Sequence, residues 1–149
     1  MFKTIAIASD HGGYEYKETI KTFLAENFSD ITIIDCGPSD TQSVDYPDFA
    51  QAASGKIDAG EADGMILICG TGIGISIAAN RYESVRAALC TDVTMARLTR
   101  QHNNANGLAL GQRIIGIETA LDIVRTFVTT EFEGGRHQRR IDKINVKPN

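Results

Sequence analysis

Apolar residues follow two rhythms along this chain. Short apolar runs occupy residues 3–9 (KTIAIAS), 31–36 (ITIIDC), 65–69 (MILIC), 85–90 (VRAALC) and 108–110 (LAL), and these predict five strands. Between them apolar positions recur every three or four residues, the period of a helix with one buried face. Residues 14–28 predict a helix with Tyr16, Ile20, Phe23 and Leu24 on one side. A second helix is expected from Phe49 to near Gly60, capped by Asp48, because Pro47 is read as excluded from helix and strand alike. Residues 75–81 open a third helix. Residues 93–102 form a fourth with Asp92 as its cap, and residues 117–132 a fifth carrying Leu121, Val124, Phe127 and Val128. Residues 37–48 and 101–107 read as polar loops. Strands alternating with helices build a parallel sheet with helices on both faces, an α/β fold.

The run at 65–69 organises the rest. It is apolar without a break, as a central parallel strand buried on both faces requires. It ends in Cys69, and the loop Gly70-Thr71-Gly72-Ile73-Gly74 follows before the next helix. Glycines let a backbone turn tightly and bring amide N–H groups against a ligand, and a helix start adds positive potential there. Ligands of open α/β sheets bind at the carboxyl ends of the strands, where Cys69 falls. The loop thus reads as a thiol base or nucleophile beside an anion hole. It reads equally as a tight strand-to-helix turn with a small buried thiol.

Composition narrows the classes. The 149 residues carry a formal charge of -4, which points away from nucleic acid and anionic membranes. No apolar run reaches the ~20 residues of a membrane helix, and the first residues enter a strand with no signal-peptide anatomy. Three cysteines, Cys36, Cys69 and Cys90, lack C-x-x-C pairing and fit free thiols in a reducing cytoplasm. Cys36 and Cys90 are assigned to the core. With no repeat or linker, residues 1–149 are expected to form one domain. A tail from about 134 to 149 spaces Ile141, Ile144 and Val146 among charges, as a segment that packs on something, a second subunit included.

Reactive groups collect at predictable places. Asp10, His11, Cys69 and Asp92 fall at the carboxyl edge of the sheet. His102 and Asn103 follow the fourth helix and belong to the opposite edge of their own subunit unless the loop folds back, and a dimer could bring them to a neighbour's Cys69. Arg113, Arg136 and Arg140 are the cationic candidates. Arg136 and Arg140 are spaced i, i+4, so on a helix they share a face and could clamp a dianion, with His137 assisting. They also read as a solvated basic turn. Tyr46 reads as a lid over the pocket or as a packing residue. Gly70-x-Gly72-x-Gly74 resembles a dinucleotide loop, but a G-x-G-x-x-G pattern would need its third glycine at Ile75, and the loop follows the third strand rather than the first. Acid–base chemistry on a small phosphorylated metabolite accounts for more of these residues.

Several motifs together are more specific. Ser9-Asp10-His11-Gly12-Gly13, Asp45-Tyr46-Pro47, Cys69-Gly70-Thr71-Gly72-Ile73-Gly74-Ile75-Ser76, Arg100-Gln101-His102-Asn103 and Gly134-Gly135-Arg136-His137 resemble type B ribose-5-phosphate isomerase, in family order and over essentially the whole chain. The wider family includes galactose-6-phosphate isomerase subunits and some allose-6-phosphate isomerases. The resemblance implies a Rossmann-like three-layer α/β/α sandwich with a five-stranded parallel sheet. It implies a metal-free, cofactor-free homodimer, or a dimer of dimers, that interconverts ribose 5-phosphate and ribulose 5-phosphate. It further implies Cys69 as the base, with Thr71 orienting or activating it, and amides from Gly70 through Gly72 and Ile73 to Gly74 holding the oxyanion. His102 of the other subunit would open the sugar ring. Asp10, His11 and Asn103 would bind hydroxyls, Tyr46 would border the pocket, and Arg113, Arg136 and Arg140 would bind phosphate. Some relatives use a glutamate further along the loop, where this chain has Ile75. A non-catalytic sugar-phosphate sensor and one half of a heteromeric galactose-6-phosphate isomerase are the competing readings.

Overall fold

The computed structural model describes residues 1–145. Strands β1 (Thr4–Ser9), β2 (Thr32–Asp35), β3 (Gly64–Cys69), β4 (Ala87–Leu89) and β5 (Gly107–Gly111) form one sheet in the order β2-β1-β3-β5-β4. Every neighbouring pair is parallel. Helices α1 (Tyr14–Asn27), α2 (Tyr46–Asp58), α3 (Ile73–Ala79), α4 (Val93–Asn103), α5 (Ile117–Thr129) and α6 (Arg136–Ile141) surround it. This is the expected three-layer α/β/α arrangement. No helix among the described residues is long and apolar enough to cross a membrane.

Side-chain alternation along the strands decides the layers. Ile5, Ile7, Ile66, Ile68, Leu108 and Leu110 point to one face and pack with α1, α4 and α5. Ala6, Ala8, Leu67, Cys69 and Ala109 point to the other, where α2 and α3 lie against smaller side chains. β3 is buried along its whole length, which is why its sequence is apolar at every position rather than at every second one. The cap expected at Asp92 is present: its Oδ1 accepts from the Met95 N–H at 2.9 Å.

Several boundaries differ from the sequence expectation. α2 begins at Tyr46, not Phe49, and Pro47 lies inside its first turn. A helix leaves its first N–H groups unpaired in any case, so proline costs no bond there. Asp45 takes the N-cap position in extended backbone, and its carbonyl accepts from the Asp48 N–H at 3.2 Å. α3 starts at Ile73, two residues early. α4 runs on through Asn103, into the expected loop, and stops where Asn104 adopts a left-handed φ of 44°. β4 shrinks to three residues, and α5 stops at Thr129. Residues 136–141 form a helix of their own. In the tail, Ile144 is exposed and Asn145 Nδ2 donates to the Glu83 carbonyl at 3.1 Å. The expectation for Val146 lies outside the described residues.

Candidate active site

The carboxyl edge of β3 is built by close approach. The amide of Gly72 donates to Cys69 Sγ at 3.0 Å. Gly72 itself lies in the left-handed region, at φ 77°, with its backbone against its neighbours. A Cβ there would stand 2.5 Å from Leu89 Cδ1 and 2.9 Å from the Leu110 carbonyl carbon. Only glycine fits both conditions. Thr71 is exposed, and its Oγ1 accepts from the Ile73 N–H at 3.2 Å, so the donor that reaches the sulfur is the amide of Gly72. β5 pairs Gly111 with Cys69. The next residues stitch the loop down: Gln112 N–H donates to the Cys69 carbonyl at 3.0 Å and Arg113 N–H to the Gly70 carbonyl at 2.9 Å. Arg113 returns over the loop, so that a Cβ on Gly70 would lie 3.1 Å from Arg113 Nη1.

The turn after β1 meets the same loop. A Cβ on Gly12 would lie 3.2 Å from Asp10 Oδ1 and 3.3 Å from the Gly70 amide nitrogen. Asp10 is 8 % exposed, and its Oδ1 is buried without a hydrogen-bond partner among the described residues. An acceptor left free at such a cost awaits a donor. His11 Nδ1 stands 3.2 Å from both the amide nitrogen and the carbonyl oxygen of Val44, which ties the segment before α2 to this edge. Tyr46 lies over Gly74: a Cβ on that glycine would be 2.7 Å from the tyrosine Cζ. Asp10, His11, Tyr46, Arg113 and the loop from Cys69 to Gly74 therefore share one edge of one chain.

His102, Asn103, Arg136 and Arg140 do not join them. They line a separate cavity of about 380 Å³ together with His137, Ile141 and Ile144. α4 ends beside the start of β5, whereas Cys69 faces its end at Gly111. Four strand residues put about 13 Å of β5 between the two levels. The His102 and His137 rings stack at 4.4 Å with planes 12° apart, and His137 Nε2 is 3.5 Å from Glu133 Oε2. Burial lowers the His137 pKa, and His102 and Arg136 lower it further. The i, i+4 spacing of Arg136 and Arg140 does place both on the cavity, as a helix requires. Glu133 was missed in the sequence. Its i, i+4 spacing to His137 was the available signal, but it spans a glycine pair that breaks the helix.

The other thiols are differently placed. Burial, with Asp92 nearby, pushes Cys90 up to about 12, and burial raises Cys36 as well. Both are poor thiolates at neutral pH.

Residues 5–144 match the Ribose/Galactose Isomerase family. The chain belongs to that family. It is 49% identical over 144 residues to the putative sugar phosphate isomerase YwlF of Bacillus subtilis, covering 95% of this chain and 94% of that one. It is 44% identical to the ribose-5-phosphate isomerase B of Escherichia coli, covering 97% and 95%. Among solved structures, ribose-5-phosphate isomerase B of Clostridium thermocellum superposes with a TM-score of 0.92 at 51% identity, over 95% of this chain and 94% of that chain. A ribose 5-phosphate isomerase from Thermotoga maritima gives 0.90 at 55%, over 95% and 96%. Membership accounts for the motifs at both edges of the sheet: the matched residues run from β1 through α6 and include the Cys69 loop and the His102 cavity alike.

Proposed function

We propose that this chain is an aldose–ketose isomerase that interconverts D-ribose 5-phosphate and D-ribulose 5-phosphate in the cytoplasm, with Cys69 as the base. The observation that carries this reading is the Gly72 N–H aimed at Cys69 Sγ from 3.0 Å, within the loop that joins β3 to α3. A base and donors for an oxyanion then occupy one bend of backbone. The relatives named ribose-5-phosphate isomerase, at 44% and more identity, supply the substrate.

On the open-chain aldose, the sulfur takes the proton from C2. The C–H electron pair becomes the C1–C2 double bond, and the carbonyl oxygen at C1 takes the negative charge. Amides of the loop from Gly70 to Gly74 hold that oxygen, and one such donor is worth roughly 3 to 4 kcal/mol in comparable sites. The proton returns from sulfur to C1, the C2 hydroxyl proton passes to the C1 oxygen, and the ketose results. Proton transfer by a placed group contributes about 100- to 10,000-fold. Thr71 borders the sulfur's loop and helps fix it. Asp10 Oδ1, buried and free, suits a sugar hydroxyl. His11, Tyr46 and Asn103 complete the polar lining. Arg113, Arg136 and Arg140 bind the phosphate, whose remote binding energy positions the reacting carbons.

The site takes a second copy of the chain. His102, the ring-opening group, sits at the wrong edge for its own Cys69. Ile73, Ile77, Val93, Met95 and Ile114 are exposed around the Cys69 edge, an apolar rim of the kind that marks an interface. A homodimer that covers it and exchanges His102, Asn103, Arg136 and Arg140 satisfies both observations. Replacing Cys69 by alanine tests the chemistry. Exchange of the C2 proton with solvent should fall about a thousandfold or more, while ribose 5-phosphate still binds. Full turnover without the thiol would remove Cys69 from the mechanism.

A further inference from the structure

We infer that His102, Glu133 and His137 form a binding site for a divalent transition cation of the zinc class. The three side chains come from the last turn of α4, the segment after α5, and α6. Their candidate ligand atoms all lie within 4.8 Å of one another. Two ligands on a tetrahedral zinc, each bonded at about 2.0–2.1 Å, stand about 3.4 Å apart. His137 Nε2 and Glu133 Oε2 are already 3.5 Å apart. The widest separation has to close by at most about 1.4 Å, and one of the two stacked rings has to tilt. His137 is buried and acts as the anchor. Glu133 is half exposed and His102 is partly exposed, so both can turn towards it. The backbone already gathers the segments: Glu133 N–H donates to the Gln101 carbonyl at 3.1 Å, and His137 N–H to the Gly134 carbonyl at 3.1 Å.

Two imidazoles and a carboxylate are a zinc ligand set that leaves a fourth position open. Here that position opens on the cavity that Arg136 and Arg140 also line. The arginines repel a cation, so the metal binds more weakly than in a closed structural site and exchanges. Magnesium and calcium prefer oxygen ligands and gain little from two imidazoles. If the isomerase reading holds, the metal has a consequence. It takes His102, the ring-opening group, as a ligand, and so it inhibits reversibly.

Equilibrium dialysis of the full chain against zinc chloride tests the site without any substrate, so its result is separate from the isomerase reading. One saturable ion per chain is expected. Glu133→Gln and His137→Gln should each weaken it about tenfold or more, and Cys69→Ser should leave it unchanged. Glu133 is exposed enough that its replacement threatens no packing, so that variant decides even where His137→Gln folds poorly. Absence of saturable binding, binding that survives Glu133→Gln, or binding lost in Cys69→Ser would each overturn the assignment. Cobalt substitution should give visible bands of a four-coordinate nitrogen and oxygen site; an octahedral spectrum would count against it. In assays, zinc should slow the parent and spare Glu133→Gln, and equal inhibition of both would sever the metal from His102.

Discussion

Gly72 donates its amide back to Cys69 Sγ at 3.0 Å while itself lying in the left-handed region, at a φ of 77°. Gly72→Ala should therefore harm both stability and activity. An alanine there adds backbone strain of about 1–3 kcal/mol and drives its Cβ to 2.5 Å from Leu89 Cδ1. The expected outcome is a loss of about 2 kcal/mol or more in chemical denaturation. Turnover should drop by about a hundredfold or more, because the base loses the amide that holds its sulfur. A Gly72→Ala variant with parental kcat would show that the amide has no part in catalysis.

Gly74 and Tyr46 offer a milder test of the same edge. A Cβ on Gly74 would meet the tyrosine ring at 2.7 Å, but that ring is the end of an exposed side chain and can swing away. Alanine also favours the helix by up to about 1 kcal/mol over glycine. Gly74→Ala should leave the melting temperature close to that of the parent while lowering kcat/KM about tenfold through the displaced ring. In a Tyr46→Ala background the same change should cost nothing further. Additive losses in the double-mutant cycle would separate Tyr46 from the loop.

Much of this arrangement was legible in the chain itself, and the reasons differ by element. β1 and β3 stand out because a strand covered on both faces is apolar at nearly every position. Asp92 and the Arg136–Arg140 pair obey local rules, one a cap and the other a helical period. The start of α2 departs from its sequence expectation because proline is excluded from a helix interior but not from a first turn. Glu133 and the stacking of His102 on His137 depend on where α4 and α6 end up, which no local pattern encodes. Lys17 was the least visible. It looks like any polar residue on an amphipathic helix, yet it is fully buried.

Lys17 is buried because charge from elsewhere meets it. Its Nζ donates to Asp35 at 3.0 Å, from the end of β2, and to Glu18 at 2.7 Å. Lys21 joins the same carboxylates at 3.0 Å on Glu18. Burial alone would raise Asp35, but hydrogen bonds from Lys21, the Gly37 amide and Lys17 overcome it and hold the carboxyl below its usual range. Glu18 is lowered chiefly by its bond from Lys17. Both groups thus bind protons less readily folded than unfolded. Their contribution is complete above the unfolded carboxylate range near pH ~4 and is lost as pH falls through the lowered folded values. Lys17→Met should flatten that acid limb. At pH 7 it should cost about 1–2 kcal/mol, below the full penalty for breaking a buried pair, since both carboxylates keep contact with water. An acid limb as steep as the parent's would show that Lys17 does not hold the carboxylates.

The separation of His102 from Cys69 makes the strongest prediction about assembly. One chain carries the sulfur at the carboxyl end of β3, and the imidazole is on the last turn of α4, which leads to the start of β5, about 13 Å lower along the sheet. A Cys69→Ala protein and a His102→Ala protein should each turn over ribose 5-phosphate poorly. In a mixed dimer, one of the two composite sites receives an intact sulfur from one chain and an intact imidazole from the other, while the second receives neither. Random exchange places half of the protein in mixed dimers, each with one working site of two. The mixture should therefore recover about a quarter of parental activity. The return should follow the rate of subunit exchange, measured in parallel by mixing differently tagged chains. Exchange without any return of activity would mean that each site is complete within one chain, and the apolar rim of Ile73, Ile77 and Ile114 would then need another explanation.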